Sequence, residues 1–407
     1  MNTHKIFTRT IWTLGFVSLF SDIASEMLYP IMPIYLKSIG FTALWIGILE
    51  GIAEAVVGLS KGYFGKLSDE KGMRMPFVRM GYFLSSISKP MMTLFVFPLW
   101  IFLARASDRL GKGMRTGARD AVLSDECSKE NKGKVFGFHR AMDTLGAAIG
   151  PIAALAYLYF FPQDYKSLFL IAFAPAMIGV VLTFFIKEKK KSPTPTLPIG
   201  EGASYLNPPQ RGGFRRGMDF LSYFSYWKKS SPEYRQVVAG LLLFAVFNSS
   251  DVFLLLMAKQ IGIADDKIIM VYIFYNLIYA LFSLPFGNLA DRIGMKKTFA
   301  LGLFFFCITY AGMAFVQSTL MLFALFFIYG LYAAANEGVS KAWISKIVPQ
   351  GETATAIGFF ASGSSIVTMI SSATAGLIWV SAGAQTAFVV SAVGAFSALI
   401  YIALKAK

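Results

Sequence analysis

Apolar residues run through this chain in long unbroken stretches rather than at every second or third position. Twelve such stretches recur, at about residues 10–36, 42–66, 75–96, 99–123, 134–161, 166–186, 235–260, 265–289, 297–316, 319–346, 353–381 and 384–405. Each is close to or beyond the about 20 residues that a helix needs to cross a hydrocarbon layer. The longer ones have to tilt or project. Barrel strands do not fit, because they are about half as long and alternate apolar with polar positions. The pattern predicts an all-α membrane protein with twelve transmembrane helices. The first stretch follows Lys5 and Arg9, as a secretion signal would, but it continues past Asp22 to Leu36 with no small-residue cleavage site. It reads as a retained first helix.

Composition agrees with a membrane setting. Of 407 residues 56% are apolar and 15% charged, against the about 25% charged residues of a soluble domain. Disordered, collagen-like and disulfide-rich classes are excluded. The formal charge is 38 − 23 = +15. In a soluble protein this would suggest a nucleic-acid partner. Here the cations concentrate in alternate connections: Lys66, Lys71, Arg74, Lys129, Lys132, Lys134, Arg292, Lys296, Lys297 and Lys346 follow even-numbered stretches. Those after odd-numbered stretches hold only Lys37, Lys166, Lys259 and Lys267, offset by Asp164, Asp265 and Asp266. The positive-inside rule then places both termini and the even-numbered connections in the cytoplasm, and no nucleic acid is needed to explain the excess.

One connection, 187–234, breaks the rhythm. It opens on Lys187-Glu188-Lys189-Lys190-Lys191, carries Pro193, Pro195, Pro198, Pro208 and Pro209, and has ten basic and four acidic residues between Lys187 and Arg235. It predicts a flexible cytoplasmic linker between residues 1–186 and 235–407, with a short interfacial helix at Phe220–Trp227 and a basic run that anchors the topology before it binds anionic lipid.

The two flanking portions repeat one another. At an offset of 222, Lys37, Ile39, Gly40, Leu59, Phe64, Gly65, Leu67, Asp69, Gly72 and Met73 meet identical residues in the second half. At an offset of 221, Ala121, Ser124, Gly137 and Phe138 do the same. A duplicated six-helix unit is the architecture of a carrier whose halves close around a site at mid-membrane.

The repeated segment carries a resemblance. Gly65-Lys66-Leu67-Ser68-Asp69-Glu70-Lys71-Gly72-Met73-Arg74, and again Gly287-Asn288-Leu289-Ala290-Asp291-Arg292-Ile293-Gly294-Met295-Lys296-Lys297, resemble the G-x-L-x-D-R-x-G-R-K signature of the major facilitator superfamily. Glu70 stands where that family has Arg. The resemblance implies a gating role for Gly65, Asp69, Gly72, Arg74, Gly287, Asp291, Arg292 and Gly294. It puts Asp69 at the start of the eleventh helix, near Thr353, and Asp291 at the start of the fifth. A carboxylate suits a positive helix N-terminus; turn geometry and topological anchoring would explain the same residues without gating. On the fifth helix, Gly146, Gly150 and Pro151 resemble the signature of the family's proton-coupled exporters, although small residues four apart also serve plain close packing.

Ionisable residues inside a membrane are costly and usually functional. In the family fold, helices 1, 4, 7 and 10 line the cavity. Here helix 1 carries Asp22 and Glu26. Helix 4 carries Arg105, Asp108, Arg109, Lys112, Arg115, Arg119 and Asp120, and Arg105, Arg109, Lys112 and Arg119 fall on one stripe. Helix 7 adds Asn248 and Asp251, and helix 10 Asn336, Glu337 and Lys341. By depth, Asp22 meets Arg109 and Glu26 meets Arg105, as structural ion pairs or as a site where acids exchange protons when an anion binds. Glu50 and Glu54 on helix 2 are proton-site candidates or are hydrogen-bonded to a neighbouring helix. His139, with Arg140 and Asp143, reads as a solvated entrance residue before a proton relay. Lys89 on helix 3 has no evident partner.

Two His and two Cys form no metal cluster or disulfide pattern, and no ATP-binding motif is present, so no cofactor is expected. The sequence describes a monomeric, multi-pass carrier of the bacterial inner membrane, not an enzyme, resembling drug and metabolite proton antiporters. Its expected activity is proton-coupled efflux of a small organic molecule. The alternative is proton-driven uptake of an anionic nutrient or metal chelate.

Overall fold

The computed structural model describes residues 6–29, 31–41, 43–187 and 222–405. Among the described residues there are no strands. The helices are α1 (Arg9–Leu28), α2 (Met32–Ser38), α3 (Ala43–Lys71), α4 (Met75–Leu94), α5 (Pro98–Asp125), α6 (Lys132–Phe160), α7 (Tyr165–Thr183), α8 (Tyr226–Lys229), α9 (Pro232–Ala245), α10 (Val252–Gln260), α11 (Asp265–Ile293), α12 (Met295–Met313), α13 (Thr319–Ile347), α14 (Thr353–Ala382) and α15 (Ala384–Lys405). Seven helices are individually long and apolar enough to cross a membrane. The expected twelve spans are therefore only partly matched. Of the five others, the second to fourth (α3, α4 and α5) carry charges along their length, the seventh is divided into the short α9 and α10, and the ninth is α12, which opens on Met295-Lys296-Lys297. The first span is also divided, although α1 by itself qualifies.

The divisions fall at equivalent places in the repeat. The first span breaks between α1 and α2, and the seventh between α9 and α10, where Asp251 lies 222 residues beyond Tyr29. Backbone without helical partners is tolerated at membrane depth only where it lines a cavity or is buried in protein. The breaks thus mark where the interior is polar. Elsewhere the outer face is oily: Val380 is 88%, Leu320 83% and Phe160 72% exposed, as expected of side chains that face lipid rather than water. Off the membrane, Asp164 caps α7 through the Ser167 amide at 3.2 Å and accepts the Tyr157 hydroxyl at 2.8 Å. These bonds, that to Ser167 first, hold its carboxyl below the usual range.

Packing is intimate where glycines allow it. α1 lies against α6 and α7, α4 against α5 and α7, and α12 against α13 and α15. Between the N-terminal and C-terminal helices, α6 packs on α11 and α3 on α14. Both crossings are glycine on backbone. A Cβ on Gly137 would fall 2.5 Å from the Ser283 carbonyl oxygen, and one on Gly358 2.6 Å from that of Lys61. Gly65 meets the Ala354 carbonyl, and Gly287 meets that of Gly133, closer still. Such approach is how membrane helices gain van der Waals contact when lipid offers no hydrophobic drive.

Of the linker, residues 188–221 lie outside the described residues, Phe220 among them. The tight turn Ser222–Ser225 and α8 form its described end, with one face packed on protein and Phe224 40% exposed on the other. Tyr223 is fully buried against Gly62, and Trp227 stacks on Phe359 of α14 at 5.8 Å.

Gly287→Val is expected to cost about 1–3 kcal/mol through overpacking, seen as a lower thermal unfolding midpoint of the solubilised chain. Gly376→Ala, whose Cβ would meet only Phe253 Cζ at 3.7 Å, should leave the midpoint unchanged.

Candidate functional site

Each repeated motif places its carboxylate on a helix that lacks its own cap. Neither α6 nor α14 has a side-chain hydrogen bond from its own N-cap residue, Asn131 or Glu352. The missing acceptor comes from another helix. Asp291 accepts the amides of Gly133 and Lys134 at 2.8 and 2.7 Å, and Asp69 accepts the Thr355 amide and hydroxyl, both at 2.5 Å. These are the helix starts named for the two aspartates from the sequence. A carboxylate on exposed helix amides both satisfies them and meets the positive end of the helix dipole.

The two copies differ in detail. Arg74 is ion-paired with Asp69 and reaches Ser68 Oγ at 3.2 Å, which ties the first motif loop to its aspartate. Glu70, in the place of the family's Arg, pairs with Lys66 at 3.4 Å on its own helix. Arg292 is exposed. Gly72 and Gly294 have φ of 61° and 101°, and the turn at each requires glycine.

A row of polar contacts continues this closure inward. Gly62 N donates to Ser362 Oγ at 2.9 Å and Lys61 Nζ to Ser365 Oγ at 3.3 Å. Asp120, paired with Arg119 at 3.0 Å, also meets Lys341 of α13 at 2.9 Å. Arg140 of α6 pairs with Asp143 at 2.6 Å, donates to the Tyr279 hydroxyl, and lies 3.9 Å from Glu337. All of these except the Arg119 and Asp143 pairings join N-terminal to C-terminal helices.

Above this floor lies a cavity of about 1000 Å³. One wall is cationic, with Arg105, Arg109, Lys112, Arg115 and Arg119 of α5 and the acids Asp22 and Glu26 of α1 beside them. The opposite wall is hydroxylated and aromatic, with Tyr272, Tyr275 and Tyr279 of α11 and Tyr332 of α13, plus Asn248, Asp251, Asn336 and Glu337. The tyrosines were not singled out in the sequence. Their spacing at 272, 275 and 279 is a helix-face signal that the apolar background conceals. Asp251, at the break of the seventh span, accepts the Tyr329 hydroxyl at 2.6 Å. Buried Asn248 Oδ1 and both side-chain polar atoms of Asn336 have no hydrogen-bond partner among the described residues.

Several expectations need correction. Asp22 is not set against Arg109 as an ion pair; it lies beside Asp143 of α6. Glu26 faces Lys112 and Arg109, with Arg105 lining the same small pocket. Depth alone missed this because α6, held close by its glycines, inserts Asp143 between the helices considered. Asp108 does not line the central cavity. It lies 3.9 Å from Lys89, which also donates to the Ser85 carbonyl at 3.0 Å, so Lys89 and Asp108 explain each other. His139 is buried at 4% exposure, close to Arg119, Asp143 and Asp120, and is no solvated entrance. Gly146 and Gly150 seat α6 on α1: a Cβ would fall 2.6 Å from the Leu19 carbonyl and 2.7 Å from that of Ile23. Pro151, inside α6, is buried beside them. The side chains of Glu50 and Glu54 lie outside the described residues.

Asp291→Ala removes the cap of α6 and is expected to shift the closed-to-open ratio at this end about 2–30-fold, the equivalent of about 0.5–2 kcal/mol. A cysteine placed at buried Ser283, in a chain without Cys127 and Cys307, reads this as faster thiol labelling. An unchanged labelling rate would show that the cap does not hold the end shut.

Known proteins share this sequence and fold. The sequence profile of the Major Facilitator Superfamily matches residues 14–255 and 236–406. An uncharacterized MFS-type transporter of Methanocaldococcus jannaschii is 31% identical over 91% of this chain and 89% of its own. A multi-drug resistance efflux pump PmrA homolog of Lactococcus lactis is 24% identical over 80% of this chain and 77% of its own. The crystal structure of the human organic anion transporter MFSD10 (TETRAN) superposes with a TM-score of 0.81 at 15% identity, covering 97% of this chain and 99% of that one. With no strand among the described residues, paired motif loops and a profile match along nearly its whole length, the chain belongs to the major facilitator superfamily and is a multi-pass membrane transporter, not an enzyme.

Proposed function

We propose that the chain exports a small organic anion in exchange for protons by alternating access. Residues 1–186 and 235–407 are two six-helix halves, joined by the linker 187–234, that rock about the central cavity. The observation that carries this reading is the cavity's divided wall: a stripe of arginines and a lysine on α5 faces a bank of tyrosines on α11 and α13. Guanidinium groups bind carboxylate or phosphate in a fixed fork geometry, while tyrosine faces suit the remainder of an organic molecule. A cavity with few, placed polar groups and aromatic walls is the usual form of a small-molecule site.

The closed end carries the basic loops, so by the positive-inside rule it is cytoplasmic and the cavity faces outward. Both termini are then cytoplasmic, in the inner membrane of a bacterial-type cell, and one chain suffices because the cavity lies within it. Protons are the coupling ion because carboxyl groups of α1 share the cavity with the cations. Asp22, Glu26, Asp251 and Glu337 lie on this path, with Glu50 and Glu54 of α3 as further proton-site candidates. The L. lactis relative's name as an efflux pump and the human structure's as an organic anion transporter both agree with this assignment.

The basic wall equally suits proton-driven uptake of an anionic nutrient or metal chelate, and one experiment separates the two. In proteoliposomes of known orientation, a panel of organic anions is added and the internal pH monitored. Proton movement opposite to the anion is expected; movement with it would establish uptake; no proton movement with any transported anion would overturn coupling. Arg109→Gln should weaken the apparent affinity for a transported anion about 10–100-fold, the loss of one charge-assisted contact.

A further inference from the structure

We propose that Asp22 and Asp143 form a two-carboxyl site that holds a single proton between them, and that this pair, rather than an isolated acid, is where the transporter binds its coupling proton. The inference deepens the proton-coupled reading above and rests on it for its role, though not for its existence. The geometry begins with Gly146. Its missing side chain lets α6 lie against α1 so closely that a Cβ there would be 3.0 Å from Asp22 Cβ. Asp143 accepts Ser18 Oγ of α1, one helical turn before Asp22, so the Asp22 and Asp143 carboxyl groups lie side by side. Two carboxyl groups so placed repel when both are ionised, and a single proton held between them removes the repulsion and supplies the donor that neither carboxylate has.

The surroundings assign the roles. Asp143 Oδ1 accepts from Ser18 Oγ at 2.5 Å and Oδ2 from Arg140 Nη1 at 2.6 Å. With donors on both oxygens, Asp143 is the acceptor of the pair and Asp22 supplies the O–H. The other titratable groups facing them are Lys112 and Glu26 on the Asp22 side, and Arg119 and the buried imidazole of His139 on the Asp143 side. Asp22 lines the cavity, so cavity water can receive its proton.

Release breaks the Asp22 O–H bond, passes the proton to water, and changes the pair's charge from −1 to −2. Arg140 senses that change. Its other contacts, Glu337 at 3.9 Å and the Tyr279 hydroxyl, belong to the C-terminal helices. A second negative charge beside Asp143 draws Arg140 toward α1 and α6 and weakens its hold across the interface. Proton loss is thereby linked to opening of the cavity floor.

The test needs no substrate. Infrared spectra of the full chain in lipid vesicles at neutral pH report the C=O stretch of protonated carboxyl groups. Relative to the unaltered chain, Asp22→Asn and Asp143→Asn should each lose the signal of one carboxyl per chain, and Glu26→Gln should lose none. Asn at 22 still presents an N–H donor to Asp143, so the helix contact is kept, and unchanged helix content checks the fold of each variant. An undiminished signal in either Asp variant, or its loss in Glu26→Gln, would overturn the shared-proton site. Since the measurement is independent of transport, failure of the pair and failure of the transport assignment are told apart.

Discussion

Two helix starts, those of α6 and α14, have no cap of their own and borrow one from across the molecule. Asp291 and Asp69 provide it, each from the end of a helix that has already come within backbone contact through glycine. The two features require each other. The carboxylates reach the amides only because Gly287, Gly133, Gly65 and Gly358 let the helices touch. The contacts are worth keeping because lipid gives apolar helices little other reason to associate in one register. The gain per cap is about 0.5–2 kcal/mol. Two caps together amount to a few kcal/mol, the size of difference that ligand or proton binding can reverse. In the alternating-access reading proposed above, a joint of that size would close one end and still be reversible.

Everything polar inside the molecule is arranged relative to that joint. The contacts of Arg140, Lys341 and Lys61 form the cavity's floor directly behind it. The cationic face of α5 and the tyrosine face of α11 are brought opposite each other because α5 and α11 belong to different sides of the same crossing. The broken first and seventh spans lie at the cavity's other reach, where Tyr29 and Asp251 line it. A charged wall within a membrane is expensive. Here acids on α1 and hydroxyls opposite offset it, and Asp108 neutralises Lys89 outside the cavity.

How far the sequence carried the structure depended on the kind of signal. The helical class was readable from the length of the apolar stretches and the repeat from identities at a fixed offset, while the partners of Asp69 and Asp291 came from the family resemblance of a motif present twice. The cationic stripe of α5 was readable from helical spacing. The breaks of the first and seventh spans were not, because the polar run Asn248-Ser249-Ser250-Asp251 and the junction after Tyr29 are short interruptions within otherwise apolar stretches of spanning length. The Asp22 pairing was misassigned for a similar reason. Depth along the membrane is a one-dimensional coordinate, and the sideways insertion of α6, permitted by Gly146 and Gly150, leaves no mark in it. His139 looked exposed because it lies near a helix end, yet the helix end itself is enclosed by α5 and α13.

Alternating access, as proposed, requires the end carrying the two motif loops to close and open while the opposite end does the reverse. Spin labels on Lys71 and Lys346 at the motif end, and in a second variant on Lys37 and Lys259 at the other, allow both separations to be measured by pulsed electron resonance in lipid vesicles as pH is varied. The account predicts two populations at each end, changing in opposite directions, with the short motif-end distance belonging to the state described here. A single pH-independent distance at both ends, or a change of the same sign at both, would contradict it.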